Sequence, residues 1–332
     1  MKLKRLFEAI RNRRLCYSLS GKIYHYLESK QRDHQPFARK FIFDDRQHKS
    51  ENLLLVLMGF QPYFWDVLLD RVNRNIEQFD EDIDVCLCIP CGEDSHAAEM
   101  ARGMAKQYNF SYLYIYDDLL AQAQNTAINL HPNAQWIYKI DEDILLSDNY
   151  FAKMKSTLNR AQNELHYYVG FVSPLINLNA AGFRMFLETI NKWDEFASVF
   201  PGPRYWAKDP EKDLVHANSK VAEYIWNNSI PFDKVASEIA EKNNGQYAIS
   251  PIRMSIGAIL FTRKKWEEWG MFVVSGIGVM GAEETQICGY TMNRMQVIII
   301  AKDVLAGHWG FYRQKETCRH FFEKHINDIK HK

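Results

Sequence analysis

Three consecutive carboxylates, Asp141, Glu142 and Asp143, follow the apolar run QWIYKI at 135–140. Carboxylates at the end of a buried strand are costly to desolvate without a partner, and a divalent cation is one such partner. On an extended segment residues 141 and 143 point to the same side, so both can face one ion while Glu142 faces away. Mg2+ or Mn2+ suits hard oxygen ligands and fills out its shell with substrate phosphates. The plainer alternative is a solvated acidic turn with Asp141 capping a helix, and an isolated DxD supports no more than that. Two further features accompany this one. Glu283 and Glu284 open a helical stretch after the glycine-punctuated loop VVSGIGVMG at 273–281, and His308 stands between two glycines in AGHWGFYR at 306–313. Each has an ordinary explanation of its own, since acidic residues at a helix start are favoured by the helix dipole and a lone histidine is usually structural.

These residues need a scaffold, and the chain is built to supply one. Its 332 residues, 47% hydrophobic and 25% charged, suffice for a packed α/β core. The 41 basic and 41 acidic residues cancel, so no global field points to nucleic acid, and no nucleic-acid motif is present. From Asn52 onward short apolar runs alternate with helical stretches, the pattern of an α/β domain with a largely parallel sheet. Strands are expected at 53–60, 84–90, 111–116, 135–140, 169–176, 255–262 and 295–300. Ligands of open α/β sheets bind beyond the carboxyl ends of the strands, which is where Asp141–Asp143 fall. The stretch 177–250 reads as helical in parts, at 181–197 and 215–228. Its aromatic segment 193–206 either shapes an acceptor pocket or packs the core.

The N-terminal 40 residues are basic, with Leu3, Leu6, Phe7 and Ile10 at helical spacing among the charges. That pattern fits a helix on an anionic membrane surface or a solvated helix packed on the domain. Neither a signal-peptide core nor a membrane-spanning run is evident, so a cytoplasmic location is expected. The six cysteines, at 16, 86, 88, 91, 288 and 318, include the cluster CLCIPC at 86–91, but that cluster lies in a period-two apolar run with no matching second pair, so they read as reduced thiols.

In order, spacing and local context, the features from about Asn52 to Tyr312 resemble the GT-A glycosyltransferases, particularly glycosyltransferase family 2. The matching segments are AQNTAI at 123–128, WIYKIDEDI at 136–144, SIGAILFTRKKWEEWGMF at 255–272, GVMGAEETQI at 278–287 and the late His308. The resemblance implies a mixed, mostly parallel sheet flanked by helices, with an N-terminal helical extension. It divides the chain into a basic extension at 1–48, a catalytic domain at 49–314 with an acceptor-side insertion at 177–250, and a C-terminal helix or tail at 315–332. It puts Asn125 near the nucleotide base or ribose, and Lys139, Asp141, Glu142 and Asp143 at the nucleotide-sugar. Asp141, Asp143 and His308 would hold Mn2+ or Mg2+, and Glu283 or Glu284 would act as general base, the choice staying open. Lys139, Arg253, Arg263 and Arg313 are candidates for further phosphate contacts.

The implied activity is inverting transfer from a nucleotide-sugar, a UDP-sugar first, to a glycan or lipid-linked acceptor in cell-surface polysaccharide or lipopolysaccharide synthesis, with peripheral contact to an anionic membrane. Two departures stand out: Glu284 occupies a position that is usually Asp, and VLMGFQPYF replaces the family's proline-rich opening. A sugar-nucleotide nucleotidyltransferase is one rival, but GFQPYFWD after the first strand is not a Gly-rich phosphate loop. An inactive sugar-binding scaffold of the same fold is the other.

Overall fold

The structure, a computed structural model, describes residues 35–59, 61–90, 95–117, 119–201, 214–274 and 281–329. The expected basic helix at 1–34, Cys16, Cys91, residues 202–206 of the aromatic segment and most of the glycine-punctuated loop lie outside the described residues.

A ten-stranded mixed sheet organises the chain in the order β1-β4-β3-β2-β5-β9-β7-β10-β6, with β8 also paired to β10. Its parallel centre is made by β2 (Asn52–Leu57), β3 (Asp84–Ile89), β4 (Ser111–Ile115) and β5 (Trp136–Asp141). Every residue of β2 and β3 is buried, as continuous apolar runs must be when helices cover both faces of a sheet. The crossover helices are α1 (Trp65–Glu77), α2 (Ser95–Tyr108) and α3 (Leu120–Leu130). A short strand that sequence patterning does not mark, β1 (Phe41–Asp44), adds antiparallel to β4 at one edge.

Beyond β5 the pairing changes. β9 (Ala258–Thr262) runs antiparallel between β5 and β7 (Val169–Ile176), and β7 is parallel to β10 (Val297–His308). The carboxyl ends of β2, β5, β7 and β10 therefore share one edge of the sheet, with the start of β9 among them.

The last strand is twice as long as the apolar run at 295–300 suggests. Its register on β7 shifts between Ala301 and Leu305, where Lys302 and Asp303 interrupt the apolar pattern. The strand then resumes with a new neighbour. Its first half pairs with β8 (Tyr247–Ile249), and Ala306–His308 pair with β6 (Ile144–Leu146), the three-residue strand directly after the carboxylate cluster. His308 is thus a strand residue rather than a loop residue.

The remaining helices are α4 (Tyr150–Glu164), α5 (Gly182–Thr189), α6 (Trp193–Val199), α7 (Ser219–Asn227), α8 (Phe232–Lys242), α9 (Arg263–Glu268), α10 (Ala282–Asn293) and α11 (Lys315–Ile329). Sequence patterning does not mark α8. Buried Arg71 on α1 ties distant parts together, donating to Leu146 O (3.1 Å), Asp233 Oδ1 (2.7 Å) and Ile329 O (2.6 Å). Among the described residues Cys86, Cys88, Cys288 and Cys318 are free and buried; burial pushes the Cys288 and Cys318 thiols up to about 11 and about 12, which keeps them unreactive. No helix among the described residues is long and apolar enough to cross a membrane.

An aromatic cluster backs the end of β10. Trp226 and Trp309 stack at 3.8 Å and 5°, and Phe64 and Phe322 meet Trp309 edge-on. Gly307 lies beneath the stack, where a Cβ would come within 2.5 Å of Trp226 Cη2. Gly307→Ala is therefore expected to lower unfolding free energy by about 1–3 kcal/mol through overpacking. Denaturant unfolding checks this, and an unchanged midpoint contradicts the close approach.

Candidate functional site

The carboxylate cluster is fixed by backbone first. Asp141 N donates to Gly257 O (2.8 Å), Glu142 N to Leu57 O (2.9 Å), and Trp309 N to Asp143 O (3.0 Å). Three strands and the start of a fourth thus set where the three side chains leave the chain. Asp141 faces the crevice with 36% of its side chain open, and its Oδ1 meets the buried Lys139 Nζ at 2.6 Å. Lys139 also donates to Ile256 O (2.8 Å). Burial on most sides pushes the Asp141 carboxyl up, Lys139 opposes this, and Asp143 adds to it.

Glu142 turns the other way. Its Oε2 accepts from Gly59 N (2.8 Å) and Trp65 Nε1 (2.7 Å), and its carboxylate also accepts from the Gln61 backbone N–H. Burial pushes it up to about 7 in spite of these donors. Only 4% exposed, Glu142 anchors the loop after β2 instead of reaching a nucleotide-sugar, which corrects the role the resemblance gives it.

Asp143 and His308 meet across the β10–β6 pairing. His308 Nε2 lies 3.7 Å from Asp143 Oδ2, which also accepts from Gln61 Nε2 at 2.8 Å. His308 is held on three sides: its N donates to Asn177 Oδ1 (2.9 Å), its carbonyl accepts from Trp226 Nε1 (3.0 Å), and its Nδ1 meets Leu178 O at 3.0 Å. A carbonyl only accepts, so Nδ1 carries a proton, and in the neutral ring the lone pair is on Nε2, directed towards the Asp143 carboxylate. At 3.7 Å the two are too far apart for a hydrogen bond.

Two electron-pair donors facing each other across that gap suit a shared cation, and fixing the outer nitrogen of a histidine by a carbonyl is how proteins orient metal-ligating imidazoles. The residues therefore fit a divalent ion held by Asp143 and His308, with Asp141 beside it. Asp141 is turned onto Lys139, and among the described residues no group of three or more His, Cys, Asp and Glu side chains is gathered on one ion position.

The acidic pair opens α10 after Gly281, whose φ of +86° lies in the left-handed region. Burial pushes the Glu283 carboxyl up, with Lys139 opposing and Asp141 reinforcing, so Glu283 shares the field of the carboxylate cluster. Burial pushes Glu284 up to about 7, against Arg253 and with help from Glu283. Arg253 Nη2 lies 3.5 Å from Glu284 Oε1, and its Nη1 donates to Thr285 Oγ1 (2.9 Å). A carboxylate near 7 is suited to accepting a proton at neutral pH.

Two other expectations change. Asn125 is fully buried: its Oδ1 accepts from Trp266 Nε1 (3.0 Å) and Phe272 N (3.0 Å), and its Nδ2 donates to Phe272 O (2.8 Å) and Pro36 O (3.1 Å). Three of the four capacities of the amide fix the 266–272 segment and the fourth holds Pro36, leaving none for a base or ribose. Arg263 donates to Ala134 O, Ile128 O and His131 O and closes the carboxyl end of α3. Conversely, sequence patterning passes over Gln61, Asn177 and Leu178. A lone amide and a backbone carbonyl carry no signal beyond their position at the ends of β2 and β7.

No protein-family model matches the chain, and no curated protein matches it. Among solved structures, it is similar to a mannosyltransferase from Pyrobaculum calidifontis in complex with GDP-Man and Mn2+, at 16% identity and a TM-score of 0.42, over 91% of this chain and 68% of that one.

Asn125→Leu tests the structural role of the amide. It leaves the Trp266 and Phe272 N–H groups buried without acceptors, and unfolding free energy should fall by about 2–4 kcal/mol. Denaturant unfolding checks this, and an unchanged unfolding midpoint contradicts the assignment.

Proposed function

We propose that this chain is a metal-dependent glycosyltransferase of GT-A type, resembling family 2, that moves a sugar from a nucleotide-sugar, a UDP-sugar first, to a glycan or lipid-linked acceptor with inversion. The observation that carries the reading is the meeting of Asp143 and His308 across a 3.7 Å gap, with burial raising the Glu284 carboxyl to about 7. Asp143 and His308, with Asp141, would hold Mn2+ or Mg2+, which when bound neutralises charge on the departing diphosphate.

The protein's own residues divide the rest of the work. Lys139 balances Asp141, so that the crevice floor is not left with an unpaired carboxylate. Glu284 accepts the proton of the acceptor hydroxyl as its oxygen attacks the anomeric carbon from the face opposite the leaving group. Arg253 stabilises the ionised form of Glu284 and so sets the pH at which it becomes a base. Glu283, closer in field to Lys139 and Asp141, belongs to the donor side. On this reading residues 49–314 form the catalytic domain and 177–250 the acceptor side. Within the 1–48 extension, the residues before β1 would provide a basic contact with the cytoplasmic face of an anionic membrane, and cell-surface polysaccharide or lipopolysaccharide synthesis would be the setting.

Glu284→Gln should leave donor binding intact and cut transfer by about 10²–10⁴-fold; full activity removes the residue from the chemistry. Because Glu284 works ionised and its proton is lost near 7, transfer should rise with pH through about 7 and then level. Arg253→Met removes the cation that favours ionisation and should move that rise to higher pH; an unmoved profile contradicts the assignment. Deleting residues 1–34 should reduce co-sedimentation with vesicles containing phosphatidylglycerol, and undiminished binding contradicts the membrane contact.

A further inference from the structure

Gln61 lies in the loop after β2, only 3% exposed, in the segment where the sequence departs from the family's usual opening. Its amide is fully directed. Nε2 donates to Asp143 Oδ2 (2.8 Å), the same oxygen that faces His308 Nε2, and Oε1 accepts from the Tyr63 hydroxyl (2.7 Å). The orientation is not arbitrary, because a carboxylate can only accept, so the NH2 end must point to Asp143. Its backbone N–H meanwhile serves the Glu142 carboxylate. One residue thus holds two adjacent carboxylates in their opposite directions.

Tyr63 is in turn held by the C-terminal helix. Its ring packs 5.7 Å from Phe322, and the Arg319 guanidinium lies 5.2 Å over it, both on α11. Burial pushes the phenol well above its ordinary value, so it stays a neutral donor to Gln61. The chain of contacts runs α11, Tyr63, Gln61, Asp143.

Resting on the metal-dependent reading above, we infer that Gln61 is the positioning residue of the cation site, fixing Asp143 Oδ2 opposite His308, and that Tyr63 keeps the Gln61 amide in the required orientation. Donors to a ligating carboxylate typically contribute 10–100-fold to metal affinity. A side chain of the same length that cannot donate should therefore weaken the ion without disturbing the fold.

The test is Mn2+ binding by the full, metal-free chain, followed by the electron paramagnetic resonance signal of free Mn2+, alongside thermal unfolding without metal. Gln61→Met should weaken Mn2+ binding about 10–100-fold at an unchanged metal-free unfolding midpoint. Tyr63→Phe, which keeps the ring against Phe322, should shift affinity in the same direction by less. Wild-type affinity in both variants, or a loss matched by a fall in metal-free stability, overturns the inference while the proposed function stands. Absence of Mn2+ binding by the wild-type chain overturns both.

Discussion

The candidate site depends on one strand exchanging neighbours. Only after β10 leaves β8 at the Lys302–Asp303 irregularity does it reach β6, with His308 opposite Ile144 and Trp309 N donating to Asp143 O. That pairing converts a separation of 165 residues in the chain into a 3.7 Å gap between an imidazole and a carboxylate. Behind it the Trp226–Trp309 stack and the missing Cβ of Gly307 let the strand lie flat against the helices. Just past the end of β7, Leu178 O orients the ring itself, while Asn177 Oδ1 holds the His308 backbone N–H.

Charge is the second constraint. Asp141 feels Asp143, Glu283 feels Asp141, and Glu284 feels Glu283, while the basic groups near them are Lys139 and Arg253, with the imidazoles of His308 and His216 also close by. Burial raises Asp141, Glu283 and Glu284, since ionised carboxylates are disfavoured where water is excluded. A bound cation relieves that cost directly. The arrangement also separates tasks: Lys139 commits Asp141, Gln61 commits Asp143, and Arg253 tempers Glu284 most, with Lys139 and His216 adding to it.

Much of this scaffold is legible in the sequence, for physical reasons that also mark where legibility stops. β2, β3 and β7 read correctly because strands buried on both faces need unbroken apolar runs. β6 and β8 have three residues each, too short to show a period, and β10 hides its second half behind two charged residues. At the site, the alternation of an extended chain anticipates that Glu142 departs from the side of Asp141 and Asp143. What it cannot anticipate is the partner each polar group finds. Asn125 and Gln61 are both buried amides, yet one is saturated by Pro36, Trp266 and Phe272 and the other donates to Asp143. That difference is a property of the packed structure.

On the proposed function, the residues around Asp143 and His308 bind a nucleotide-sugar through a divalent cation. Thermal unfolding of the wild-type chain across nucleoside diphosphates and nucleotide-sugars, each with and without Mn2+, tests it most directly, because a ligand that binds only the folded state raises the unfolding temperature by mass action. The account predicts a rise for at least one nucleotide, a uridine nucleotide first, that requires Mn2+. No rise with any nucleotide, or an equal rise without the metal, would contradict it.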